Sequence, residues 1–184
     1  MQTRGFTVVE LVIVITIMSI LLILALVNVR STQIQARDSE RHVDVQNIAT
    51  ALESFHDKLI EGRQYTYPAS AISISNRQMA PLESALKHVK DSAGSGSLYA
   101  PGVDEATQDV SLVMAMNASQ TATSVSPAPT TTTYVYQALT ADNTLCIYNS
   151  NVTCAKYNIF YQLEQPTDTC PAPTNTCIYR SHHQ

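Results

Sequence analysis

Glu10 is the one ionisable side chain between Phe6 and Val29, in the run FTVVELVIVITIMSILLILALVNV. After Phe6 the run is Val, Ile, Leu, Met and Ala, with Thr7, Thr16, Ser19 and Asn28 as the polar exceptions. A carboxylate at the centre of a bilayer costs about 2.5–3.5 kcal/mol, and less near its edge. Such a group calls for a partner, and ion pairing is the chemistry it offers. The other reactive residues are Cys146, Cys154, Cys170 and Cys177, all in the last quarter of a 184-residue chain. Their gaps of 7, 15 and 6 residues lack the short knuckles of zinc sites, so disulfides are expected. Four cysteines allow three pairings. Asn149-Ser150-Asn151 lies between the first two and Pro171 and Pro173 between the second two. Both segments can turn back on themselves, which favours Cys146–Cys154 and Cys170–Cys177.

Other chemistry is thin. His42, His56, His88, His182 and His183 show no metal-ligand spacing, and Asp104, Glu105 and Asp109 match no calcium-loop pattern. There is no nucleotide-binding loop and no nucleophile–base set, so no catalytic residue, metal or cofactor is expected. A net charge of −4 gives a nucleic-acid partner little electrostatic help. Asn117-Ala-Ser and Asn151-Val-Thr match the glycosylation sequon, a weak pattern by itself.

The elements that must position these residues begin with the apolar run. At about 1.5 Å per residue, some 20 apolar residues cross a hydrocarbon core, so residues 6–29 are long enough to span a membrane as a helix. No small-x-small cleavage site follows in VNVRSTQIQA, which argues that the segment stays in the mature protein. Arg4 precedes it and Arg30 and Arg37 follow, leaving the positive-inside signal ambiguous. The clustered cysteines favour an oxidising compartment and place the C-terminal domain outside the cell. Val45, Ile48, Leu52, Phe55 and Leu59, with Ile34 and Ala49 alongside, have the spacing of an amphipathic helix, and Gly62 is a plausible stop. Arg37, Asp38, Glu40, Arg41 and Asp44 fall on the other face and read as solvated charge. No Pro occurs before Pro68, so one helix of about 55 residues, roughly 80 Å long, is expected.

Beyond Gly62 the signals are shorter. APLESALKHVKD predicts a short helix with Pro81 in its first turn. DVSLVMAMN fits helix or strand, and residues 117–133 form a Ser/Thr/Ala/Pro-rich stretch expected to be an exposed loop and a possible O-glycan carrier. TYVYQAL and LCIYN read as strands around a TADN turn. In AKYNIFYQLE, Tyr157, Ile159, Tyr161 and Leu163 alternate onto one face, as in a half-buried antiparallel strand. The nine tyrosines are expected to fill a small core and keep their hydroxyls wet.

MQTRGFTVVELVIVITIMSILL resembles the N-terminus of type IV prepilins and of the related secretion pseudopilins. In that family a short basic leader ends in Gly, and a dedicated peptidase cuts after it and methylates the new N-terminal residue. The resemblance implies a leader at residues 1–5, cleavage between Gly5 and Phe6, N-methylation of Phe6, and a role for Phe6 and Glu10 in assembly. There Glu10 would pair with the amine of a neighbouring subunit. One departure from many type IV pilins is the missing mid-helix Pro.

The expected fold is therefore α+β and type IV pilin-like. A long N-terminal helix, transmembrane over 6–29 and amphipathic over 30–61, packs on a small antiparallel sheet within an extracellular domain at 62–184. The resemblance implies a structural, non-enzymatic pilin that polymerises with copies of itself. Adhesion, twitching motility or DNA uptake would be its uses. Its other partners would be the cytoplasmic membrane before assembly, the prepilin peptidase and the pilus assembly machinery. The alternatives are a pseudopilin of a secretion or competence system, a minor pilin, or a signal-anchored surface protein that never polymerises.

Overall fold

The structure, a computed structural model, describes residues 7–56, 66–69, 98–103, 111–147 and 153–183. Gly5 and Phe6, the helix stop at Gly62, the short helix near Pro81, the acidic residues Asp104, Glu105 and Asp109, and Asn151 lie outside these ranges. Two compact units divide the chain, Met1–Arg37 and Asp38–Gln184.

Helix α1 (Val8–His56) supplies the described part of the first unit and continues into the second. Val and Ile are middling helix formers in water, but a helix closes its own backbone hydrogen bonds wherever no water is present to do so. Every Val, Ile, Leu and Met side chain from Val8 to Leu24 is exposed in the single chain. The hydroxyls in this stretch are satisfied within the helix. Thr16 Oγ1 donates to the Val12 and Ile13 carbonyls at 3.0 and 2.8 Å, and Ser19 Oγ to the Ile15 carbonyl at 2.7 Å. Side-chain bonds back to the preceding turn remove the polar cost of Thr and Ser in an apolar run.

In the second unit the periodic stripe does what its spacing predicts. Val45, Ile48, Ala49 and Leu52 are fully buried, with Phe55 packed alongside. Burial of each large aliphatic side chain stabilises by about 1.5–3 kcal/mol. They pack against one face of a four-stranded sheet of order β1-β2-β3-β4: β1 Leu112–Met114, β2 Tyr134–Leu139, β3 Lys156–Gln162 and β4 Thr176–Arg180. Because side chains alternate along a strand, Tyr134, Tyr136 and Ala138 of β2 meet the helix together with Tyr157, Ile159 and Tyr161 of β3.

The sheet departs from the expected all-antiparallel one. β2–β3 and β3–β4 are antiparallel, whereas β1 runs parallel to β2. Parallel neighbours need a crossover of about a dozen residues or more, and the Ser/Thr-rich stretch between Ala115 and Thr133 serves as that crossover. It is not simply an exposed loop. Val125 joins Ala115, Val135 and Phe160 in a second, smaller core on the far face of the sheet. Gln137, fully buried, donates from Nε2 to the carbonyls of Asn117 (2.8 Å) and Ser119 (2.9 Å), and its Oε1 accepts Asn158 Nδ2 at 2.8 Å. β3 is thus buried on both faces rather than half-buried. Within LCIYN, Leu145 bridges Leu139 and Cys146 N–H donates to the Ala138 carbonyl at 2.8 Å, while Tyr148 and Asn149 lie outside the described residues; β4 is a further strand.

Candidate functional site

The start of α1 is a reciprocal cap. Glu10 N–H donates to Thr7 Oγ1 at 3.2 Å, and Glu10 Oε2 accepts the Thr7 N–H at 3.2 Å and the Thr7 hydroxyl at 3.1 Å. This is the Ser/Thr-x-x-Glu capping box, in which two otherwise orphaned donors of the first turn are satisfied by each other's residues. Thr7-Val8-Val9-Glu10 carries this signal in its spacing, so Glu10 is not a lone charge but half of a cap. Oε2 takes both bonds from Thr7, and Oε1 accepts none among the described residues. Glu10 therefore caps its helix with one oxygen. The adjacent Gly5 and Phe6 lie outside the described residues.

The four cysteines form Cys146–Cys154 and Cys170–Cys177, with Cα–Cα separations of 5.6 and 4.7 Å. All four are buried on the helix side of the sheet. The first bridge sits beside the segment after α1, where Tyr67 N–H donates to the Cys154 carbonyl at 2.9 Å and Cys154 N–H to Thr66 Oγ1 at 3.1 Å. The second ties the loop after β3 to β4.

Two expectations about polar residues are corrected by the packing. The hydroxyls of Tyr67, Tyr134, Tyr136 and Tyr157 are not left to water. Tyr134 donates to Asp44 Oδ2 at 3.1 Å, Tyr136 to the Pro68 carbonyl at 2.8 Å, and Tyr157 and Tyr67 to the two oxygens of Glu53 at 3.1 and 2.6 Å. Burial pushes the Tyr161 phenol up to about 12, and holds those of Tyr134, Tyr136 and Tyr157 well above the usual value. The charged face of the helix is not all solvated either. Arg41 is 2 % exposed and donates to Asp38 Oδ1 at 2.7 Å, Glu164 Oε1 at 2.9 Å and the Thr131 carbonyl at 2.9 Å. Asp38 in turn accepts the N–H groups of Glu164 and Gln165 at 2.9 and 3.1 Å.

Among the described residues no group of three or more His, Cys, Asp or Glu side chains could hold a metal ion. His42 is bonded to Tyr161, its Nδ1 lying 2.8 Å from the hydroxyl, and His183 faces Glu53 at 3.7 Å. Among the described residues of the second unit, these polar contacts hold the helix on the sheet. The N-terminal segment is the functional candidate.

Residues 1–26 match the family model described as the prokaryotic N-terminal methylation motif. The chain carries a type IV prepilin signal. Thr7 and Glu10 of the capping box fall within it, and the fold behind it is the α+β, pilin-like one. No curated protein and no solved structure matches the chain. A prepilin signal implies processing by a prepilin peptidase and assembly into pilus-like polymers. It also accounts for an apolar helix long enough to cross a membrane and indicates membrane anchoring. Signal and fold together point to a structural rather than a catalytic protein.

Proposed function

We propose that this protein is a structural subunit of a type IV pilus. In this reading the leader is cut after Gly5, Phe6 becomes the methylated N-terminus, residues 6–29 hold the precursor in the cytoplasmic membrane, and the same helix later forms the polymer's core. The domain beyond the helix lies outside the cell and then on the filament surface, where it serves adhesion, twitching motility or DNA uptake.

The observation that carries this reading is the carboxylate of Glu10 at the start of α1, with Oε2 engaged by Thr7 and Oε1 without a partner among the described residues. Cleavage would leave an amine at Phe6, next to the N-terminal end of α1. The helix dipole is positive there, so a positive amine is unfavourable without a nearby anion. A neighbouring subunit's amine can approach the open oxygen of Glu10 without breaking the cap. Two charges that are costly in lipid are then neutralised when subunits are in register. The exposed apolar side chains from Val8 to Leu24 need either lipid or other copies of the same helix around them.

Mass spectrometry of cells and of sheared surface filaments tests the proposal. The expected result is a chain beginning at methylated Phe6 and abundant in the filament fraction. A methylated chain that stays with the membrane would favour the pseudopilin reading, and an intact Met1 would overturn both.

A further inference from the structure

Asp44 sits inside the contact between α1 and β2, 7 % exposed, with the fully buried Tyr134 against it. Tyr134 gives Oδ2 its one hydrogen bond, at 3.1 Å, and Oδ1 has no partner among the described residues. The nearest cation by sequence is Arg41, one helical turn away. Its guanidinium is turned elsewhere, to Asp38, Glu164 and the Thr131 carbonyl. A buried carboxylate with one neutral donor and no paired cation is an uncompensated charge.

We propose that Asp44 is a proton-operated clasp between helix and sheet: protonated it holds α1 against β2, and ionised it loosens the contact. The groups acting on it are Tyr134 from β2 and, from its own helix, Glu40 and Arg41. Burial, the largest influence, disfavours the charge; the Tyr134 bond opposes this, Glu40 adds repulsion, and Arg41 offsets part of it. Together they push the carboxyl from 3.8 up to about 6. In the unfolded chain an aspartate titrates near its ordinary value of about 3.9. The folded value lies above the unfolded one, so the contribution to stability is fully present below about pH 4 and is lost as pH rises through about 6. The contribution of Asp44 is thereby larger in mildly acidic surroundings than at neutral pH, the reverse of a carboxylate paired with a cation.

The test is denaturant unfolding of the full chain in detergent micelles between pH 7.5 and 4.5, with wild type and Asp44→Asn side by side. Asn keeps an oxygen for the Tyr134 hydroxyl and cannot ionise. On acidification the folded-to-unfolded ratio of wild type should rise about ten- to a hundredfold relative to that of Asp44→Asn. Asp44→Asn should also be the more stable of the two at pH 7.5. Parallel pH profiles, or a less stable variant at pH 7.5, would overturn the clasp. A second readout guards against a variant that fails to fold: NMR titration of the Asp44 carboxyl carbon in the wild-type chain. A midpoint near 6 supports the proposal, and one near 4 overturns it.

Discussion

Arg41 Nη2 donates to Glu164 Oε1 at 2.9 Å and joins α1 to the loop that leads into the second disulfide. The same guanidinium reaches Thr131 at the end of the crossover, so one side chain fastens three segments far apart in sequence. Removing one member of a buried ion-pair network leaves the others uncompensated and costs about 3–5 kcal/mol. Arg41→Ala is therefore expected to lower the unfolding free energy of the full chain by about that amount. Arg41→Lys should not restore it, because an ammonium lacks the planar fork that serves three acceptors. Denaturant titration in micelles decides; a loss below about 1 kcal/mol would remove the network's claim to hold the segments.

In the proposed reading, processing depends on Gly5, the residue before the cut. Gly5→Val is expected to leave an uncut precursor in the membrane and no filaments, because a peptidase that reads the backbone closely has no room for a branched Cβ. Immunoblotting for precursor and mature forms is the measurement, and normal maturation would refute the site assignment.

The capping box can be tested apart from the assembly role proposed for Glu10. Gln at this position still caps, whereas Ala does not. Glu10→Gln should keep the helix start and cleavage while losing the charge, and filament yield should fall as far as in Glu10→Ala. Thr7→Val removes the hydroxyl but not the charge. Its expected cost is about 0.5–2 kcal/mol of helix stability, with yield near wild type. Near-normal yield from Glu10→Gln would mean that capping, not charge, is what assembly needs.

Each disulfide closes a short loop. In the chain-entropy model such a loop is worth about 2.5 kcal/mol, a large share of a domain stability of about 5–15 kcal/mol. Replacing Cys146 and Cys154 together by Ser should lower the unfolding free energy by roughly that much. Non-reducing peptide mapping of the native chain checks the pairing itself, and a peptide joining Cys154 to Cys170 would contradict it.

Gln137 anchors the crossover to the far face of the sheet. Gln137→Leu keeps much of the volume but strands the Asn117 and Ser119 carbonyls and the Asn158 amide, at about 1–3 kcal/mol for each group left buried without a partner. Limited proteolysis should then cut between Asn117 and Thr133 faster than in wild type. Unchanged cleavage would show that the crossover is held by Val125 and its apolar neighbours alone.

What the sequence determined by itself is local. The prepilin signal, the apolar run, the Val45–Ile48–Leu52 stripe and the alternation in β3 each depend on residues within a turn or two of one another, and the periods of helix and strand are written in that spacing. Thr7-x-x-Glu10 is legible on the same terms, since both partners of the cap lie within one turn. Tertiary structure decided what depends on distant partners. The direction of β1 follows from how the crossover returns to β2, and nothing in Leu112–Met114 states it. Arg41 looked solvent-facing because its helix position is off the apolar stripe, and it is buried because Thr131 and Glu164 close over it. The tyrosine hydroxyls found Asp44 and Glu53 only once helix and sheet were in contact. A polar side chain's burial is set by whether a partner arrives from elsewhere in the chain, and one strand's or helix's sequence does not contain that partner.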